Sequence, residues 1–427
     1  MASTWEMVQG LLWAKGLHLG RLNGASRSLA SMMGTPDVMA FPGSQMHDHC
    51  MTVARLPARQ YYWDAELLVA GHTAVQRWYG MDAYLITPDG YNFEAEALGQ
   101  KMIYSDIAMP TVDVSHPLIS TPADLAKLQP LDPSKGRVPM LVDLAWRIQQ
   151  AGGTLIAGGF FCSPFSLMCQ VMGYPGAIKA LRRNPEFAKD LFAFTEDLAI
   201  MPMVKAQSRG GKVKSFMGAD AWSCFPNITV PMFREWVAPS AKRLKAQGKA
   251  LGLTISSGGG AMDYSEEDPD KFDKQILFDC IDAAAEISLL GQPMAGGGMG
   301  PTQLWDPLWL KEYIETRCKG KNVLCVLSIN GRFVRDSKPA DILAYVRRWI
   351  DVLGRKGRMF GMIGNVPADT PPVNVFTAVA AVHTYGRYPI AADLDKVEVK
   401  LPAFLPFDEW LKGQPEEEVI RRAREKH

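Results

Sequence analysis

Charge of one sign is what this chain most lacks. Lys and Arg number 46 and Asp and Glu 45, a formal charge of +1 over 427 residues. Without a basic excess there is no electrostatic footprint for nucleic acid or for an anionic membrane, and polyanion binding is set aside. Cysteine is sparse as well. The seven, at positions 50, 162, 169, 224, 280, 318 and 325, make neither a CxxC pair nor a disulfide scaffold, which fits a reducing cytoplasm. Long apolar runs are missing: TLIAGGFFCSPFSLMCQVMG is broken by Gly, Pro and Ser, against a membrane span. WEMVQGLLWAKGL has no basic flank and reads as an amphipathic helix, not a leader. No repeat of fixed period is present.

What is there is an ordinary globular composition, 47% hydrophobic and 21% charged. From about residue 37 to 390, β-rich runs alternate with helical ones. Eight runs are strand candidates: 38–45, 82–88, 154–160, 212–218, 250–257, 285–291, 322–329 and 358–364. Most are continuous apolar runs, as in strands buried on both faces, and the pattern predicts an α/β chain folded as a (β/α)8 TIM barrel. A doubly wound open sheet would need a phosphate-binding glycine loop after the first strand, and none is there. Three units are expected: an N-terminal helical extension (1–36), a catalytic barrel (37–395) and a C-terminal tail (396–427) whose charged helix PEEEVIRRAREKH reads as solvated surface. Residues 258–272, GGGAMDYSEEDPDKF, form an acidic insertion after the fifth strand.

Three segments carry a family resemblance. YGMDAYLITPDGYNFEAEALGQKMIYSDIAMPTVDVSHPLISTPADLAKLQPLDP, MGADAWSCFPNITVPMFREWVAPSAKRLKAQGK and GMIGNVPADTPPVNVFTAVAAVHTYGRY resemble the uroporphyrinogen decarboxylase superfamily, especially its corrinoid-dependent methyltransferase branch. The resemblance spans roughly residues 38–390 and implies a (β/α)8 enzyme acting on a small molecule. Porphyrinogen decarboxylases of this family carry an Arg-Gln-Ala-Gly-Arg stretch where this chain reads PGSQMHDHCM, against that activity. The zinc-type methyltransferases carry His-x-Cys after the fifth strand and Cys after the eighth. Here those positions fall on Thr254, Ser256 and Gly364, poor zinc ligands, so the usual metal site is expected to be absent.

The cluster GSQMHDHC is the chemistry the resemblance does not explain. Read as the extended end of the first strand, it sends His47 and His49 to one side and Asp48 to the other. The two imidazoles suit a zinc site of non-standard composition, an acid and base pair, or hydrogen bonding without reaction. Asp89, at the end of the second strand, and Asp220, where the family commonly has two neighbouring acids but this chain has Ala219 beside it, complete the catalytic set. Cys162, Ser256, Asn330, Arg332 and Asn365 are the candidate substrate-binding residues, Arg332 for its ability to grip a carboxylate or phenolate. Glu96 reads as a helix anchor, Cys50 as a small buried hydrophobe, and His383 and Tyr385 as packing of the last helix.

Methyl transfer from a small, methoxyaromatic substrate to a corrinoid on a separate protein is the first functional reading, since no D-x-H-x-x-G corrinoid motif occurs in the chain. A corrinoid-independent lyase or decarboxylase and a non-catalytic binding barrel are the alternatives. A homodimer is expected.

Overall fold

The computed structural model describes residues 4–154, 158–259, 264–288, 293–295, 304–319 and 323–425. The chain enters through two helices, α1 (Thr4–Ala14) and α2 (Gly24–Met33). Residue 10 is glycine where they meet, and a Cβ there would stand 2.6 Å from the Ser26 carbonyl oxygen. Asn23 caps α2, its Oδ1 accepting the Ser26 N–H at 3.0 Å. The pair covers the N-terminal end of the barrel. Arg27 reaches Asp82 at 2.6 Å and Asp37 at 3.0 Å, and Met32 packs against Leu324, Val326 and Phe360.

Beyond the first stave come α3 (His47–Val53), α4 (Ala58–Tyr61) and α5 (Ala65–Trp78), then, after the second, α6 (Phe93–Ala97). A small antiparallel arm comes next, β1 (Met102–Ile103) against β2 (Thr111–Val112). Two three-stranded parallel sheets form most of the barrel wall. One runs in the order β3 (Gly159–Cys162), β4 (Ser215–Ala219), β5 (Thr254–Gly259); the other β6 (Met294–Ala295), β7 (Leu324–Asn330), β8 (Met359–Gly364). Every residue of β7, LCVLSIN, is buried, as expected of a strand with helices outside and a core inside. The architecture is the predicted α/β barrel.

Two expected strands are not regular ladders. Residues 38–45 contain Pro42, which has no N–H, and Gly43 at φ 97°, so a ladder cannot run through them. The stave is held instead by scattered bonds: Gly361 N–H to the Ala40 carbonyl at 2.9 Å, Val366 N–H to Gln45 at 2.8 Å, and Asp82 N–H to Phe41 at 2.8 Å. Among the described residues, 82–88 touch the third stave through a single parallel bridge, Tyr84 to Thr154. Gln76 of α5 stitches the two together. Its Oε1 accepts from Ser44 N–H at 3.2 Å and Leu85 N–H at 3.0 Å, while its Nε2 donates to the Leu85 carbonyl at 3.0 Å.

The sixth strand is displaced. The sequence pattern places an extended run at 285–291, but a helix runs Lys274–Ala285 and turns through 288, and the strand lies at Met294–Ala295, paired with β7. A short apolar run at a helix end looks the same as a buried strand. Residues 289–292 and 260–263, the latter in the acidic insertion, lie outside the described residues. The tail helix, Glu417–Glu425, is not simply solvated: Ile420 and Ala423 are buried, and Arg424 donates to the Ala54 carbonyl at 2.7 Å.

Candidate active site

A cavity of about 590 Å³ opens over the C-terminal ends of β7, β8 and the first stave. Asn330 ends β7 and caps the short helix Gly331–Asp336, its Oδ1 accepting the Phe333 N–H at 3.1 Å. That helix delivers Arg332 and Arg335 to the lining. Gly364 ends β8, and Asn365 comes next in the left-handed region at φ 55°, which turns the chain back across the opening. Arg335 is bound bidentately to Asp336 at 2.7 and 3.0 Å. Arg332 is largely exposed, with Glu267 at 3.4 Å, and is the guanidinium more available to a ligand.

His47 and His49 do not share this cavity. The extended geometry expected for them is replaced by α3, which begins at His47. Two residues along a helix is about 200° of rotation, so the rings diverge. His47 and Asp48 line the cavity, the reverse of the expectation for Asp48. His49 points into the core, where its Nε2 is hydrogen-bonded to the Tyr79 hydroxyl at 2.8 Å. Burial lowers its pKa to about 4, leaving a neutral packing residue at physiological pH. The pair therefore cannot chelate one ion.

Both nitrogens of His47 are engaged. The Gln45 side-chain amide donates to Nε2 at 2.8 Å, which leaves the proton on Nδ1, 3.0 Å from the Thr87 hydroxyl. Burial pushes its pKa down despite Asp89 and Asp48 nearby. Asp48 Oδ1 accepts from the Tyr62 hydroxyl at 2.5 Å and from Met109 N–H at 2.9 Å, pinning the β1–β2 arm beside the opening.

The remaining acids and thiols form a second group, buried beneath staves two to four and absent from the cavity lining. Asp89 is taken up by Arg137, Nη1 to Oδ2 at 2.6 Å, and by the Tyr91 N–H at 2.6 Å. Arg137 also holds Glu96 at 2.7 Å, with its plane over Phe93. Asp220 accepts from the Ser166 hydroxyl at 2.6 Å, and burial raises its pKa to about 6. Cys162 ends β3 with its thiol pushed well up by burial, the opposite of what a nucleophile needs. Its N–H donates to Glu94 Oε1 at 2.6 Å, while Glu94 Oε2 has no hydrogen-bond partner among the described residues. Burial raises Glu94 to about 8, so it is a neutral acid near physiological pH.

The uroporphyrinogen decarboxylase (URO-D) family model matches residues 35–385. The chain belongs to this family. No curated protein matches it. Among solved structures it is similar to a methyltransferase from Methanosarcina mazei, at 16% identity and a TM-score of 0.61, covering 84% of this chain and 98% of that one. At that identity the likeness speaks for the fold.

The positions that the resemblance sets against zinc ligands land differently than expected. Thr254 is the first residue of β5, at the wrong end for the mouth, and Ser256 lies mid-strand without lining the cavity. The strand's C-terminal residues, Ser257 to Gly259, offer no better ligand; Ser257 is hydrogen-bonded to Ser163 at 2.9 Å. Gly364 does line the cavity but has no side chain. Among the described residues no three His, Cys, Asp or Glu converge as a metal would require. The donor set does not fit zinc.

Of the expected site residues, the fold brings His47, Asn330, Arg332 and Asn365 to one cavity. It sends His49, Asp89, Cys162, Asp220 and Ser256 elsewhere. Sequence reasoning missed Asp48, Arg335, Met109 and the protonated Glu94. A signal for Asp48 existed: Met46, Cys50 and Ala54, all buried, recur at the four-residue spacing of a helix.

Proposed function

We propose that this URO-D family chain is a methyl-transferring enzyme. It binds a small methylated substrate, a methoxyaromatic in the first instance, in the mouth cavity and releases the methyl group to a reduced corrinoid presented by a separate protein. The observation that carries this reading is the cavity lining: Arg332, Asn330 and Asn365 stand together over β7 and β8, beside the apolar Met109, Val366 and Pro367. As the O–CH3 bond breaks, its electron pair stays on oxygen, and a guanidinium facing that oxygen stabilises the developing charge. His47, locked neutral between Gln45 and Thr87, shapes the wall and orients the ring rather than donating a proton. The methyltransferase among similar folds supports the reading; the acceptor and the substrate are the proposal's own.

The test is incubation of the full chain with methoxyaromatic acids and phenol ethers, with and without reduced corrinoid, following demethylated product and corrinoid absorbance. Corrinoid-dependent demethylation supports the reading. Arg332→Ala is expected to lower kcat and kcat/KM about 10- to 100-fold, the worth of a charge-assisted hydrogen bond made as the charge develops. Turnover that needs no corrinoid overturns it in favour of a lyase or decarboxylase. That second reading rests on Glu94, a buried acid that keeps its proton near neutral pH and has an oxygen with no hydrogen-bond partner among the described residues.

A further inference from the structure

Two carboxylates line the mouth cavity, and their surroundings differ. Glu267 has Arg332 at 3.4 Å, the side chains 73% and 72% exposed, a contact that water screens. Asp48 is half-buried, and among the described residues no Lys or Arg pairs with it. Its partners there, the Tyr62 hydroxyl and the Met109 N–H, are uncharged donors, and both bonds go to Oδ1. Oδ2 is left without a hydrogen bond among the described residues. His47 beside it is neutral, its pKa pushed down by burial. The first turn of α3 lends Asp48 a partial positive field but not a whole charge. A half-buried carboxylate with one oxygen open to a cavity is best satisfied by a charged donor that enters with the ligand.

The positive end of the cavity lies across the opening. β8 pairs with β7 on one side and, through the Gly361 to Ala40 and Val366 to Gln45 bonds, with the first stave on the other. Asp48, just beyond the first stave, and Arg332, just beyond β7, therefore flank the end of β8, two strand spacings apart, on the order of 10 Å. Arg335 is already held by Asp336, which leaves Arg332 as the available cation. The β8 end between them, residues 364–368, carries no charged side chain. We infer that Asp48 is a specificity-determining residue that binds an ammonium group of the substrate. The methylated substrate is then an amine, its positive end on Asp48 and its ether oxygen at Arg332. A methoxybenzene with a two-carbon amino arm spans that gap. The inference rests on the proposed function for placing the substrate in this cavity, and it fixes that substrate's charge: a methoxyaromatic acid in the same orientation would set its carboxylate against Asp48.

Isothermal titration calorimetry on the full chain, without corrinoid, tests this with two matched probes, para-methoxyphenethylamine and para-methoxyphenethyl alcohol, which differ chiefly in the charge of the terminal group. The natural chain is expected to bind the amine about 10- to 100-fold more tightly, the worth of a charge-assisted hydrogen bond. Added salt should weaken the amine and leave the alcohol unchanged. In Asp48→Asn the side-chain oxygen still accepts from Tyr62 and Met109, so the wall is kept, and the preference for the amine should vanish while affinity for the alcohol holds. Glu267→Gln should keep the preference. Equal affinity for the two probes, binding of neither, a preference that survives Asp48→Asn, or one lost in Glu267→Gln overturns the inference. Turnover with reduced corrinoid is read separately. Asp48→Asn should raise KM for the amine with kcat unchanged, because the ammonium is held alike in ground and transition states. Selective amine binding without demethylation would overturn the proposed function and leave this inference standing; demethylation of the alcohol in preference to the amine would do the reverse.

Discussion

At the scale of single residues, the two histidines of GSQMHDHC have opposite fates decided by one helical turn. His49→Ala leaves the buried Tyr79 hydroxyl without its partner and is expected to cost about 1–3 kcal/mol of stability, seen as a lower Tm with substrate KM unchanged. His47→Ala alters the cavity wall and is expected to raise KM or lower kcat with a smaller loss of Tm. Equal kinetic effects in both variants would refute this division. Glu94 makes a pH prediction. Its folded pKa, about 8, stands above the ordinary carboxylate value, so the unfolded chain ionises first and stability falls as pH rises between the two. Glu94→Gln removes that penalty. Its Tm advantage over the natural chain should be near zero below about pH 4.5, grow through neutrality and level off above about pH 8. An advantage that is flat across this range would show that Glu94 is ionised at neutral pH. None of this was legible in the residue types. An extended chain puts i and i+2 on one side, a helix puts them apart, and MHDHC by itself suits either.

At the scale of elements, the second stave is tied to its neighbours by a buried ion triad. Arg137, from the start of the helix Val138–Gln150, holds Asp89 at the strand end and Glu96 on α6, all three side chains nearly inaccessible. Asp89 and Glu96 are thereby committed to joining elements. Arg137→Met strands two carboxylates in a medium that cannot solvate them and is expected to cost about 3–5 kcal/mol, measured by denaturant unfolding. A loss under about 1 kcal/mol would mean that water reaches the pair. The strands read best from sequence were the long apolar ones: β7 and β8 fall within two residues of the expected ranges, because a strand buried on both faces leaves an unmistakable run. The first two staves and the sixth read worst. Pro42 and Gly43 break a ladder that tertiary bonds replace, and the AEISLLG run begins inside the end of a helix.

At the scale of the whole molecule, closure of the barrel depends on a side chain doing a strand's work. Gln76→Leu keeps the volume but leaves the Ser44 and Leu85 backbone groups buried without partners, an expected cost of about 2–4 kcal/mol with a matching fall in Tm. Retained stability would place the closure elsewhere. The sequence by itself determined the class of fold, because alternating apolar strands and amphipathic helices admit few packings. It also put Thr254, Ser256 and Gly364 where the resemblance would set zinc ligands, which needs only residue identity. What it could not determine was which polar side chains meet. Tertiary structure divided six of the strand ends between an open cavity over staves seven, eight and one and a buried polar group under staves two to four. It did so through the rotation of α3 and the reach of Arg137, and rotation and reach depend on what each element packs against rather than on its own residues.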